Sequence, residues 1–237
     1  MLKLLLLSLA AIVLVGCDSG QQTTTETGAD DAPIDLTRYI RAATLLEQMG
    51  TQGGPLIFDV RAEVSYQEAH IESALSMPYG KVEQSDLAAM SGVNLDSAIV
   101  TYCGCPHHLA GLAADQLIEW GYTNVRVLYE GFVWWRENDL PLAGLMQQPV
   151  TMLQFAGRVA EDAGPLASTD VFIRNVRNGQ LEAAATDRDG RFHTEFPIIG
   201  YRPDDQFEVI VESLENAVVL RTDAQSGRAN NLQVLVN

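Results

Sequence analysis

The stretch "AIVTYCGCPHHLAGLAADQLIEWGY", residues 98–122, constrains this chain more than any other. A β-branched apolar run of strand length ends abruptly in Cys103-Gly104-Cys105-Pro106-His107-His108, and an apolar pattern of helical period starts at once with Leu109. "NVRVLY", residues 124–129, reads as the next strand, and "PLIFDV", residues 55–60, as an earlier one buried on both faces. Thr37 is placed to cap a helix through "RYIRAATLLEQM", with Tyr39, Ile40, Leu45 and Leu46 near one face. Strand, helix and strand in succession predict an α/β unit over residues 35–142, an open parallel sheet flanked by helices.

Beyond Met152 the pattern changes. Seven short runs, from "FAGRVAED" to "NLQVLVN", alternate in polarity and are separated by turns such as Asn178-Gly179 and Asp189-Gly190. Phe207, Val209 and Val211 face one way, while Glu208, Ile210 and Glu212 face the other. Residues 152–237 are therefore expected to form an all-β antiparallel sandwich, joined through a linker at residues 143–151. Each unit is expected to fold around its own core.

The N-terminus reads as an address. Lys3, an apolar run from Leu4 to Val15 and then Gly16-Cys17 suit a short export signal over residues 1–16 better than a spanning helix. Residues 17–34 contain no large apolar side chain between Asp18 and Pro33 and read as a disordered tether. The chain carries 31 Asp+Glu against 15 Lys+Arg, a formal charge of −16. Removal of Lys3 with the signal makes it one unit more negative. Such a surface repels nucleic acid and anionic lipid headgroups, so membrane attachment has to come from a lipid rather than a basic patch.

The loop after Thr101-Tyr102 is where the chemistry concentrates. Open α/β sheets present reactive groups at the carboxyl ends of their strands, and Cys103 sits there. Pro106 suits the first positions of the following helix, whose unpaired amides would favour a thiolate or persulfide at Cys103. Cys103 reads as a nucleophile, with Cys105 as a resolving thiol and Gly104, Pro106, His107 and His108 as the substrate-binding loop. Two other readings stay open. Cys103, Cys105, His107 and His108 form a set of soft and borderline ligands suited to zinc or copper. Alternatively the loop is catalytically inactive and serves to bind a protein partner. His70 reads as a buried, satisfied histidine rather than a catalyst, with Asp59 and Arg61 as an ion pair at a strand end and Trp135 as core. Trp134 lines the site or packs on the second unit. "TDRDG", residues 186–190, lacks the spaced acids of an EF-hand and reads as a hairpin turn.

At these residues the sequence resembles the rhodanese family. The resemblance runs through Asp59-Val60-Arg61, Tyr66, His70-Ile71, Ala74 and Pro78, then "IVTYC", and finally Gly131 and Trp135. At His70 it too implies a structural role. It implies a sulfur carrier: Cys103 accepts sulfane sulfur from a donor as a persulfide and passes it to a thiol acceptor, with no cofactor. Cys103 to His108 has the six-residue loop of sulfur-acting members. The family's usual loop-ending arginine and hydroxyl residue are replaced by His108 and Leu109, which puts thiosulfate turnover in doubt. Leu14-Val15-Gly16-Cys17 resembles the bacterial lipobox, which implies lipidation at Cys17 and a place in the cell envelope. Asp18 resembles an inner-membrane retention mark, so that in a Gram-negative host the chain would face the periplasm. "GRVAEDAGPLASTDVFI" and "ATDRDGRFHTEFP" resemble carboxypeptidase regulatory-like sandwiches, which implies spacing or docking to an envelope partner.

Overall fold

The computed structural model describes residues 36–91, 93–104, 108–212, 217–223 and 228–235. The proposed signal, Cys17 and the tether lie outside them, as do Cys105, Pro106 and His107.

The first half alternates short strands and helices. After a single 3-10 turn at Leu36–Arg38 come β1 (Tyr39–Ile40), α1 (Ala42–Gln48), β2 (Leu56–Asp59), α2 (Glu63–Glu68), β3 (His70–Ile71) and β4 (Leu75–Ser76). They are followed by α3 (Gln84–Ser91), β5 (Ile99–Tyr102), α4 (His108–Glu119), β6 (Val125–Leu128), α5 (Gly131–Glu137) and β7 (Leu142–Ala143). Five strands form a sheet in the order β1-β6-β5-β2-β4, with every pairing parallel. Central β5 is buried at all four positions, as its unbroken apolar run requires when helices cover both faces. Buried Thr101 is tolerated because its Oγ1 donates to the Ala110 carbonyl 2.9 Å away.

Two expectations for this half are corrected. Thr37 does not cap the first helix: Tyr39 and Ile40 are drawn into the sheet beside β6, and α1 starts only at Ala42. The Ala42 amide finds its acceptor in the Glu130 carboxylate, 2.8 Å away and 88 residues along the chain. Leu46 is exposed, whereas Ile40 and Leu45 are buried. The expected linker also begins within the fold, since Leu142–Ala143 pairs antiparallel with His70–Ile71 and Glu68 accepts from the amides of Gln147 and Gln148.

The second half is a β-sandwich. Its strands are β8 (Val150–Glu161), β9 (Gly164–Pro165), β10 (Asp170–Asn175), β11 (Leu181–Ala185), β12 (Arg191–Ile199), β13 (Gln206–Glu212), β14 (Ala217–Asp223) and β15 (Arg228–Leu235). One sheet runs β11-β10-β13-β14 and the other β12-β8-β15, with β9 paired to β8. All the pairings are antiparallel except β15 on β8, which is parallel. Phe155, Phe196 and Phe207 meet between the sheets at centroid separations of 5.1 to 6.3 Å. The Asp187 to Arg191 turn is closed by Asp187, whose Oδ1 accepts from the amides of Asp189 and Arg191. Gly190, at a φ of 73°, takes the left-handed position that such a turn requires.

The alternation in β13 holds: Phe207, Val209 and Val211 are buried in the inner core. Its other face is not simply solvated. Ile210 packs with Phe172, Leu181 and Ala183 into the same apolar cluster as Val60, Cys103, Leu109 and Ala113 of the α/β unit. Each half keeps a cluster of its own, and the two share this further one, with Tyr79 stacked on Phe172 at 5.8 Å across the junction. Full burial of an aromatic such as Phe172 stabilises by roughly 1.5–3 kcal/mol, and part of that is gained at the junction. Trp134, by contrast, is 37% exposed and no part of this cluster.

Candidate active site

Cys103 follows the last residue of β5 and is 1% exposed. The loop is fixed from behind by α5, whose first-turn amides of Phe132 and Val133 donate to the carbonyls of Cys103 and Gly104 at 2.9 and 3.0 Å. Helix N-termini carry amides without partners inside the helix, and here the loop satisfies two of them. The apolar spacing in "GFVWWRE" is short, and nothing in it announced this helix as the support of the Cys103 loop. Trp135 is fully buried beneath it, with its indole N–H on the Pro141 carbonyl at 3.0 Å.

Beside the loop lies a buried ionic knot. Arg61 donates to Asp59 through Nε at 2.9 Å and Nη2 at 2.6 Å, and to the Ala69 carbonyl at 2.7 Å. Tyr102 donates its hydroxyl to Asp59 Oδ2 at 2.7 Å and accepts from the Ile71 amide. The guanidinium also lies 3.6 Å over the Phe132 ring. Burial works against the Arg61 charge, but the charge of Asp59 and the hydrogen bonds to it outweigh that cost and hold its pKa above the ordinary value. Burial beside Asp59 likewise drives the Tyr102 hydroxyl well above its usual range. With its charge committed to Asp59, Arg61 is a structural group that orients the ends of β2 and β5. His70 is structural too: it stacks on Tyr66 at 3.8 Å, with Nδ1 2.8 Å from the Tyr66 carbonyl.

The sandwich reaches over this site. A Cβ at Gly104 would stand 2.6 Å from Pro197 Cγ and 3.6 Å from Glu182 Oε2, so only glycine fits beneath β12 and β11. Ser65 Oγ donates to Gln180 Oε1 at 3.3 Å. His108, expected in the substrate loop, places Nε2 2.8 Å from Asp170 Oδ1 on β10, and both side chains are partly exposed. Beside Gly104 lies a cavity of about 20 Å³ bordered by Arg61, Ser65, Gly104, Phe132 and Pro197. That is room for about one water molecule. A larger cleft of about 450 Å³ opens between the halves, lined by Tyr79, Lys81, Phe172, Leu181 and Ile210; Cys103 is not among its walls.

Glu182 is the residue that pattern reading missed, because an alternating strand gives no sign of which outward carboxylate will be covered. Burial pushes its pKa from 4.5 to about 8, with the Ala183 amide and the Arg61 charge pulling weakly the other way. The folded chain therefore keeps a proton that the unfolded chain releases. Stability is unpenalised below pH about 4.5, falls as pH rises towards about 8, and levels off above it. Glu182→Gln is expected to flatten that decline and to stabilise the protein at pH 8 by up to ~4 kcal/mol. Thermal unfolding of both forms between pH 5 and 8 checks this; parallel profiles would show that the carboxyl is not held neutral.

The metal alternative rests on Cys105 and His107, which lie outside the described residues. Among the described residues no three His, Cys, Asp or Glu side chains converge as ligands.

Comparison with known proteins now bears on this geometry. Residues 42–138 match the model of the rhodanese-like domain family. That stretch has the rhodanese-like α/β fold. It is also 26% identical over 137 residues to an uncharacterized protein of Synechocystis sp., covering 58% of this chain and 72% of that one. Among solved structures, a Bacillus halodurans protein is 27% identical over 47% of this chain and 80% of its own, at a TM-score of 0.42. An anaerobic ergothioneine biosynthesis enzyme from Chlorobium limicola, solved with its natural substrate trimethyl histidine, is 27% identical at a TM-score of 0.41. The match covers 46% of this chain and only 28% of that enzyme. Rhodanese-like domains handle sulfur donors and thiol acceptors, and the rhodanese-like domain here presents Cys103 at the carboxyl end of its central strand.

Proposed function

We propose that this protein is a membrane-tethered envelope sulfurtransferase that carries sulfane sulfur as a persulfide on Cys103. The observation that carries the reading is the placement of that cysteine. It follows β5 at the carboxyl edge of a parallel sheet, on a loop held by the amides of α5, inside a rhodanese-like domain. The Cys103 thiolate attacks the outer sulfur of a donor R–S–SH; the new S–S bond forms as the donor's own S–S bond breaks, and the electron pair leaves on R–S⁻. An acceptor thiolate then attacks the outer sulfur and regenerates the Cys103 thiolate. Cys105 offers an internal alternative: its thiolate attacks the inner sulfur, releasing hydrosulfide and leaving a Cys103–Cys105 disulfide that a thiol reductant reopens.

Incubation of the full chain with inorganic polysulfide is expected to raise its intact mass by one sulfur atom at Cys103, reversibly with reductant. No gain in mass would reduce the rhodanese-like domain to a binding module.

The anchor belongs to the same reading. Lipidation at Cys17 would hold the chain at the membrane, since among the described residues no helix is long and apolar enough to cross one. Cys17→Ser is expected to lose fatty-acid label and to leave the membrane fraction; undiminished labelling would rule out the anchor. The sandwich, similar in its turns to carboxypeptidase regulatory-like domains, would then space the rhodanese-like domain from the membrane and dock an envelope partner.

A further inference from the structure

We propose that the cleft between the two halves is a binding site for a small amphipathic carboxylate, held with its apolar body inside and its charged head at the mouth. The inference goes beyond sulfur transfer, since Cys103 is not among the walls of the cleft. One wall comes from the carboxyl ends of β2 and β4, the edge at which open parallel sheets take up ligands. Val60 follows β2, and the Tyr79 amide donates to the Val60 carbonyl at 3.1 Å, which fixes the segment from Pro78 to Lys81 against the sheet. The facing wall is the outer surface of the sandwich. Phe172 on β10 stands beside Ile210 on β13, and Arg174, two residues further along β10, stands beside Leu181 on β11. Strand alternation puts Phe172 and Arg174 on one face, so these four side chains form one patch across three strands.

The cleft grades from an apolar floor to a charged rim. Val60 and Phe172 are buried, Tyr79, Leu181 and Ile210 are half-buried, and Glu63, Lys81 and Arg174 are exposed. Its volume of about 450 Å³ falls within the range of ~300–1,000 Å³ typical of small-molecule clefts. The rim selects the sign of the ligand. Arg174 commits Nε and Nη2 to Glu208, which leaves Nη1 without an acceptor among the described residues. The Glu63 carboxylate already accepts from Ser76 and Gln67. Lys81 has no side-chain partner among the described residues and is the unmatched charge. On a chain of net charge −16, a cation left unmatched at the mouth of an apolar cleft points to an anionic ligand. With Glu63 and Glu208 also at the rim, a singly charged carboxylate fits better than a phosphate group, which carries about −1.5 to −2 near pH 7. Lys81 supplies the counter-charge, and Nη1 of Arg174 supplies a donor.

Calorimetric titration of the full chain with octanoate and decanoate, each below its micellar concentration, tests the site. Saturable binding is expected, tighter for decanoate by about tenfold, since each buried methylene contributes roughly threefold to fourfold. 1-Octanol, which has the same body without the charge, is expected to bind at least about fivefold more weakly than octanoate. Lys81→Gln removes a charge that the fold does not use, and is expected to bring octanoate down to the level of octanol while leaving octanol unchanged. Leu181→Trp fills the cleft and is expected to abolish binding of both. Should that variant lose its cooperative unfolding transition, Ala62→Trp fills the cleft from the opposite wall and carries the same comparison. No saturable binding of decanoate would overturn the site. Binding that survives Lys81→Gln and the folded filling variant lies elsewhere on the chain and would overturn it as well. Octanol binding as tightly as octanoate in the wild type would remove the carboxylate as ligand. Because the titration involves neither Cys103 nor a sulfur donor, its failure leaves the sulfurtransferase standing, and a chain that never takes up sulfur leaves this site standing.

Discussion

Cys103→Ser is expected to abolish sulfur uptake from polysulfide, whereas Cys105→Ser is expected to take up sulfur and to hold it longer than the wild type. The asymmetry follows from position. Cys103 ends the central strand and is fixed through the carbonyls of its own residue and of Gly104 to the first turn of α5. A hydroxyl at that point is a far weaker nucleophile towards a sulfane sulfur, so loading fails outright rather than slowing. Cys105 enters only as a resolving thiol, and without it the persulfide waits for an external acceptor. Intact mass before and after reductant distinguishes the forms, with metal removed beforehand and zinc and copper assayed in parallel. Equal loss of loading in both variants together with one bound metal ion would favour a Cys–His metal site over a sulfur carrier.

Removing the carboxylate of Asp59 is expected to cost the fold about 3–5 kcal/mol, because it leaves the Arg61 charge buried without a counter-ion. Asp59 is fully buried and Arg61 is 7% exposed. The carboxylate accepts from the Arg61 side chain and amide and from the Tyr102 hydroxyl, so a single substitution strands several donors. The double variant Asp59→Ala, Arg61→Met removes both charges and is expected to recover much of the loss. Urea unfolding of the single and double variants makes the comparison. A loss of less than about 1 kcal/mol in Asp59→Ala would mean that water reaches Arg61 when the carboxylate is gone.

Much of the architecture was legible. The apolar runs at 55–60, 98–102 and 124–129 became β2, β5 and β6, and the helical period after His108 became α4. The alternating runs beyond Met152 became the long strands of the sandwich, with Phe207, Val209 and Val211 facing its core as their spacing requires. Less legible were the two-residue strands β1, β3, β4 and β7. A pair such as His70–Ile71 with Leu142–Ala143 has no period to detect and exists only because chain folding brings distant segments to one edge. Thr37 illustrates the same limit: its local capping chemistry loses to a sheet position for Tyr39 and Ile40 and to a carboxylate at Glu130.

The sequence by itself determined the candidate nucleophile, its place at the end of a buried strand, and the two fold classes, because these follow from side-chain type and short-range periodicity. It also determined that Ile210 faces away from Phe207, but not what Ile210 would meet. Only the tertiary structure decided that the outer face of the sandwich closes on the rhodanese-like domain, that Glu182 and Pro197 cover Gly104, and that His108 turns to Asp170. The physical reason is that periodicity fixes which residues share a face, whereas the occupant of that face depends on packing between segments far apart in the chain.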